Sequence, residues 1–153
     1  RIAARLSACS LKLAFQILNS RGQLQDTLRC LLCACGRRRL GLLLGQAGNR
    51  DDQAIRELAC AAAQARPERV VLKDMDGYLR GRESGAVPAV LRDELLRQGM
   101  ADASLHTILV EVEGAVALLE WARAGDVLVL PVHNLGARAE LVALLDSRSS
   151  LES

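Results

Sequence analysis

The chain is expected to fold as an α/β domain: Rossmann-like and doubly wound, with a mostly parallel sheet covered by helices on both faces. Three observations predict this. Short apolar runs of strand length alternate with longer stretches of helical spacing. Runs such as Val70-Val71-Leu72 and Val127-Leu128-Val129-Leu130 are continuously apolar, as strands buried on both faces require. Polar, glycine-bearing loops follow the strands, and parallel strands joined through helices cross over right-handedly.

Each element has a local reason. Residues 11–18 form a weak first strand. Residues 23–35 read as a helix stopped by Gly36, a residue that adopts the left-handed cap freely. Residues 39–44 are a strand, followed by the loop Gly45-Gln46-Ala47-Gly48-Asn49-Arg50. Asp51 or Asp52 starts a helix to about residue 65, with Ile55, Leu58, Ala59 and Ala62 on one face. Pro67 separates it from a strand over 69–73. Pro88 sits in the first turn of a helix running to 98, where a missing N–H costs little. A strand over 105–110 and a helix over 112–123 come next. Gly125-Asp126 then turns into a strand over 127–132, and a helix over 135–145 follows. The polar tail 147–153 is expected to fray. No internal repeat or interdomain linker interrupts the series.

Composition narrows the function. A chain of 153 residues, half hydrophobic and a quarter charged, fits one globular domain with one core system. One Trp, one Tyr and one Phe are a poor inventory for stacking bases, and a net charge of +2 is too small to attract nucleic acid or a membrane surface. No apolar stretch approaches the ~20 residues of a membrane span, and the N-terminus lacks a secretory signal. The chain opens at Arg1 without an initiator methionine, so a fragment or an excised domain is the expectation. Cys9, Cys30, Cys33, Cys35 and Cys60 are an odd set. On a helix Cys30 and Cys33 share a face while Cys35 points away, so they read as small buried thiols, with no metal site. A reducing cytoplasm suits them.

Two loops carry candidate chemistry. The first, with Gly45, Gly48, Asn49 and Arg50, turns sharply after a strand, and the following helix start offers free N–H groups to an anion. It matches no nucleotide fingerprint, and Asp51 and Asp52 cap the helix at the cost of repelling a phosphate. The second, from Lys73 to Arg82, places Asp74, Asp76, Arg80 and Arg82 at the end of a buried strand. Ligands of open α/β sheets bind beyond such ends, and a guanidinium fork suits a carboxylate or phosphate. A solvated surface loop is the competing reading. His133, also at a strand end, lies on the ligand side, whereas His106 reads as structural. Tyr78 is placed to stack on a ligand, and Trp121 to join the core. Arg37-Arg38-Arg39 reads as an anion patch or as a solvated corner.

The residues from Arg37 to about Asp146 resemble the C-terminal domain of the Mur ligase family, closest to the cyanophycin synthetase branch. The similarity rests on two motifs in order and spacing, with the strand V-L-V-L-P-V after them. These are G-x-x-G-D/N-R-x-D-x-x-I-x-E-L, here Gly45 to Leu58, and K/E-D-x-D-x-x-L-R-G-R, here Lys73 to Arg82. The resemblance implies one part of an ATP- and magnesium-dependent carboxylate–amine ligase, which makes an amide through an acyl phosphate. It implies that Asp74, Asp76, Arg80 and Arg82 form a substrate-side loop, with an arginine clamping the acceptor's carboxylate. Gly45, Gly48, Asn49 and Arg50 would face the cleft toward a central ATPase domain, and the other partner would be an amino-acid or peptide substrate.

Two departures shape what is expected. The family's G-T-N/K-G-K-[ST] phosphate loop is absent, so activity from this chain alone is not expected. The family's D-x-A-H-N-P motif has no match in residues 13–22, which makes 1–22 a divergent or degraded segment ahead of a domain over 23–146. That loss also admits a non-catalytic binding or regulatory module that kept the fold.

Overall fold

The computed structural model describes residues 13–14, 21–35, 38–123 and 125–150. Strands and helices alternate along them: β1 (Leu13–Ala14), α1 (Arg21–Cys35), β2 (Leu40–Leu44), α2 (Asp52–Gln64), β3 (Arg69–Leu72), α3 (Ala86–Arg97), β4 (Leu105–Thr107), α4 (Glu111–Trp121), β5 (Val127–Val129) and α5 (Leu135–Ser150). A single 3-10 turn, Asp102–Ser104, leads into β4.

The five strands form one parallel sheet in the order β1-β5-β2-β3-β4. The chain steps outward from β2 to β3 to β4, and β5 then returns to the other side of β2. That reversal defines a topological switch point between β2 and β5, where the loops at the strands' carboxyl ends part into a crevice. Alternate residues of the central strand serve opposite faces, as the two-residue period of a strand demands. Leu42 and Leu44 join the core under α1, α2 and α3, with Leu24, Ile55, Leu58 and Leu91. Leu43 joins the core under α4 and α5, with Leu118, Leu119 and Leu141. The doubly wound α/β fold read from the sequence is the fold observed.

Local expectations fare differently. Asp51 caps α2, its side chain accepting from the Ala54 amide at 2.7 Å. Of the Arg37-Arg38-Arg39 run, Arg39 pairs with Asp126 at 2.7 Å and lies 4.2 Å over the Trp121 ring, at the amino end of the sheet. Trp121 is therefore a half-buried stacking partner beside the core and not a fully buried one. The paired part of β4 stops at Thr107 and that of β5 at Val129, because the chain beyond each leaves the ladder to build loops. The last helix continues past residue 145 to Ser150. Cys30 is exposed, which corrects the expectation of buried thiols: it lies on the outer side of α1, opposite Leu24 and Leu28. The Gly36 cap and most of the weak first strand and the stretch 13–22 lie outside the described residues.

Candidate functional site

Three loops meet beyond the carboxyl ends of β2, β3 and β5. Residues 45–51 follow β2, residues 73–85 follow β3, and Leu130 to Asn134 follow β5. The first two are laced together backbone to backbone. The Gly48 amide donates to the Tyr78 carbonyl at 2.8 Å, and a Cβ added at Gly48 would sit 1.9 Å from the Leu79 carbonyl oxygen. Only glycine permits that approach. Gly45 is similar, since its Cβ would lie 2.8 Å from the Lys73 carbonyl oxygen.

Arg82 completes the lacing. Its Nε donates to the Gly48 carbonyl at 2.9 Å, Nη2 to the Arg50 carbonyl at 2.8 Å, and Nη1 to Asp52 at 2.8 Å. All three guanidinium nitrogens are thus engaged with the neighbouring loop and the start of α2. The resemblance implied that an arginine of this loop clamps a ligand carboxylate; Arg82 itself braces the two loops. Asp74 is likewise turned inward. It is 3% exposed, and its Oδ2 accepts from the Ser84 hydroxyl at 2.7 Å and the Gly85 amide at 2.9 Å, tethering the loop to the start of α3. Asp76 is exposed and borders a separate recess with Glu111, Asn134 and Glu140.

The laced loops enclose a cleft of 370 Å³ lined by Gln46, Asn49, Arg50, Tyr78, Arg80 and His133, among others. Of the residues singled out in the sequence, Asn49, Arg50 and Arg80 line it directly, and Gly45, Gly48 and Arg82 shape it. Tyr78 and His133 stand on its wall. Arg80 has φ of 50°, a backbone region that a non-glycine residue adopts at a cost, and its guanidinium lies 5.3 Å over the Tyr78 ring. A larger groove of 510 Å³ runs between α1 and α2, lined by residues of those helices and by none of the loops after β2, β3 and β5.

Behind the cleft wall lies an ionic group that sequence reasoning did not assemble. Lys73 at the end of β3 is fully buried, and its Nζ donates to Glu111 at the start of α4. The same Nζ lies 3.1 Å from His133 Nδ1. Glu111 also accepts the backbone amides of His133 at 2.8 Å and Asn134 at 3.1 Å, which pins the loop after β5. Burial pushes Glu111 up, but the His133 ring, the Lys73 charge and the His133 amide outweigh it and hold the carboxyl at about 2. Burial presses Lys73 below the ordinary lysine value, opposed by the charge of Glu111. Glu111 could not be picked from the sequence because Lys73 is 38 positions away. Its one signal is a carboxylate set between Val110 and Val112, where a helix begins directly after a strand.

Among the described residues, no three His, Cys, Asp or Glu side chains are grouped to hold a metal ion, and no helix is long and apolar enough to cross a membrane.

Comparison with known proteins bears on the fold. No protein-family model matches the chain, and no curated protein matches it. Solved structures do. A UDP-N-acetylmuramoyl-L-alanyl-D-glutamate–2,6-diaminopimelate ligase is similar over 89% of this chain at 18% identity and a TM-score of 0.66, the match spanning 29% of that protein. A murein peptide ligase from Psychrobacter arcticus is similar over 87% of this chain and 27% of its own length, at 14% identity and a TM-score of 0.56. A domain described as that of a UDP-N-acetylmuramate:L-alanyl-γ-D-glutamyl-meso-diaminopimelate ligase from Haemophilus ducreyi is similar over 87% of this chain and 88% of its own, at 14% identity and a TM-score of 0.54. These structural neighbours are Mur ligase family members, and the chain has their α/β domain fold while spanning under a third of the full-length ligases.

Proposed function

We propose that this chain is the C-terminal domain of a Mur-ligase-type carboxylate–amine ligase, and that its loop cleft receives the carboxylate end of the incoming amino acid or peptide. The observation that carries the reading is the convergence of Arg50, Arg80, Asn49 and His133 on one cleft at the switch point of the sheet. Two guanidinium groups and an amide suit a carboxylate, and fixing it would hold the acceptor amine in a constant orientation. The likeness to the cyanophycin synthetase branch rests on the two loop motifs, Gly45 to Leu58 and Lys73 to Arg82.

Magnesium does not fit on the described part of this chain. The oxygens of Glu111 are taken by Lys73 and two amides, and Asp74 Oδ2 by Ser84 and Gly85, which leaves Asp74 Oδ1 as a single unpartnered oxygen, and among the described residues no three His, Cys, Asp or Glu side chains are grouped to hold a metal ion. No phosphate loop occurs in the sequence either, so ATP and its metal would be held mainly by a central ATPase domain, on the same or another chain. This chain's own part is to bind and orient the acceptor, through Arg50 and Arg80, on a frame set by Arg82 and Gly48.

The test is ADP release by the chain expressed with its native flanking sequence, measured with L-aspartate, L-arginine, L-glutamate or a peptidoglycan peptide as acceptor. ADP release that depends on one acceptor, with KM raised about tenfold in Arg80→Ala, is expected for loss of one charge-assisted hydrogen bond. Acceptor binding with no ADP release would instead favour a non-catalytic module that retained the cleft. Neither binding nor turnover would sink the reading.

A further inference from the structure

Lys73 follows β3, Glu111 opens α4 and His133 lies in the loop after β5, and their side chains are 0%, 6% and 7% exposed. A cation, an anion and an imidazole buried together are costly unless each polar atom finds a partner. Lys73 Nζ has Glu111 and His133, and Glu111 has Lys73 and two backbone amides. Within this trio the exception is His133 Nε2, a buried nitrogen with no hydrogen-bond partner among the described residues. His133 is one of the residues that line the cleft.

The state of that nitrogen follows from its neighbours. A lysine ammonium has donors only, so the imidazole nitrogen facing it must accept. Lys73 Nζ is 3.1 Å from Nδ1, whereas Glu111 Oε1, the competing partner that would favour a proton on Nδ1, is 3.5 Å away. With Nδ1 accepting, a neutral imidazole carries its proton on Nε2.

We propose that the Lys73–Glu111 pair locks His133 in the Nε2–H tautomer, and that this N–H donates to an oxyanion oxygen of a ligand held in the cleft beside Arg50 and Arg80. Lys73 is thus a positioning residue acting through His133. The arrangement gives the cleft a directional donor beside two guanidinium groups, which selects for an oxygen at one defined depth. The inference depends on the ligase reading only for the source of that oxygen, a carboxylate or a phosphoryl group.

Long-range proton–nitrogen correlation spectra of the 15N-labelled chain read the tautomer directly. A protonated Nε2 and a bare Nδ1 at His133 are expected; a proton on Nδ1 with a bare Nε2 would overturn the proposal. L-aspartate and inorganic phosphate are then titrated separately. A saturable shift at His133 Nε2, with none at His106, supports a carboxylate source in the first case and a phosphoryl source in the second; a shift in neither overturns the donor role. His133→Gln, which keeps an N–H near the Nε2 position, should bind the effective probe within about threefold of the parent, while His133→Phe should lose about tenfold, the worth of one hydrogen bond. Equal binding by His133→Phe would also overturn it. Probe binding through His133 without any ADP release would leave this inference standing and count against the ligase reading.

Discussion

Glu111 is ionised in a place where water scarcely reaches, and its surroundings make the folded state sensitive to acid. Its carboxyl lies at about 2 in the folded chain against an ordinary glutamate value of 4.5. A depressed folded value means that the contribution is complete above the unfolded value and is lost as pH falls from about 4.5 toward 2. A shift of that size corresponds to about 3 kcal/mol. Urea unfolding followed from pH 6 down to pH 2 should therefore show a loss of that order, and Glu111→Gln should flatten this part of the profile. Because glutamine strands the buried Lys73 ammonium, the variant should also be less stable at neutral pH. A parallel acid limb in both proteins would show that other carboxylates dominate.

At the scale of elements, the two ligand-side loops behave as one body. Gly48 admits the Leu79 carbonyl, and Arg82 binds the partner loop through three nitrogens. Gly48→Ala should separate them at a cost of about 2 kcal/mol or more, since the clash is with backbone that cannot rotate aside. Arg82→Ala should raise amide exchange in both loops together, while Arg80→Ala should leave exchange unchanged. Exchange rising in only one loop would disprove the coupling. Much of this was legible in the sequence. The strands show as apolar runs, Asp51 announces the start of α2, and the glycines of the first loop mark a sharp turn, although the structure uses them for close approach to the Leu79 and Lys73 carbonyls. What a side chain does once there was less legible. Arg80 and Arg82 are two positions apart with the same chemistry, yet one faces the cleft and the other is spent on the Gly48 and Arg50 carbonyls. That difference is set by how the β2 and β3 loops pack, a contact between segments about 30 residues apart. The Lys73–Glu111–His133 group was hidden for the same reason, although Lys73 and His133 each stand at a strand end where ligands are expected.

Across the whole molecule, one sheet serves two cores. Leu42 points to the face covered by α1, α2 and α3, and its chain neighbour Leu43 to the face covered by α4 and α5. The two layers should therefore unfold together. Leu42→Ala should cost about 2–5 kcal/mol, as truncation of a fully buried leucine does. Its effect should appear equally in Trp121 fluorescence, which reports the opposite layer, and in far-ultraviolet circular dichroism. Midpoints that separate would show two independent units. The sheet also sorts the aromatic side chains by pole. The one Trp lies under Arg39 at the amino ends of the strands, while the one Tyr lies under Arg80 at the carboxyl ends. Nature has in effect wired the chain with two optical channels: tyrosine emission listens to the cleft, tryptophan emission to the integrity of the fold. A ligand can thus be titrated and the health of the protein monitored in one cuvette, with no label attached.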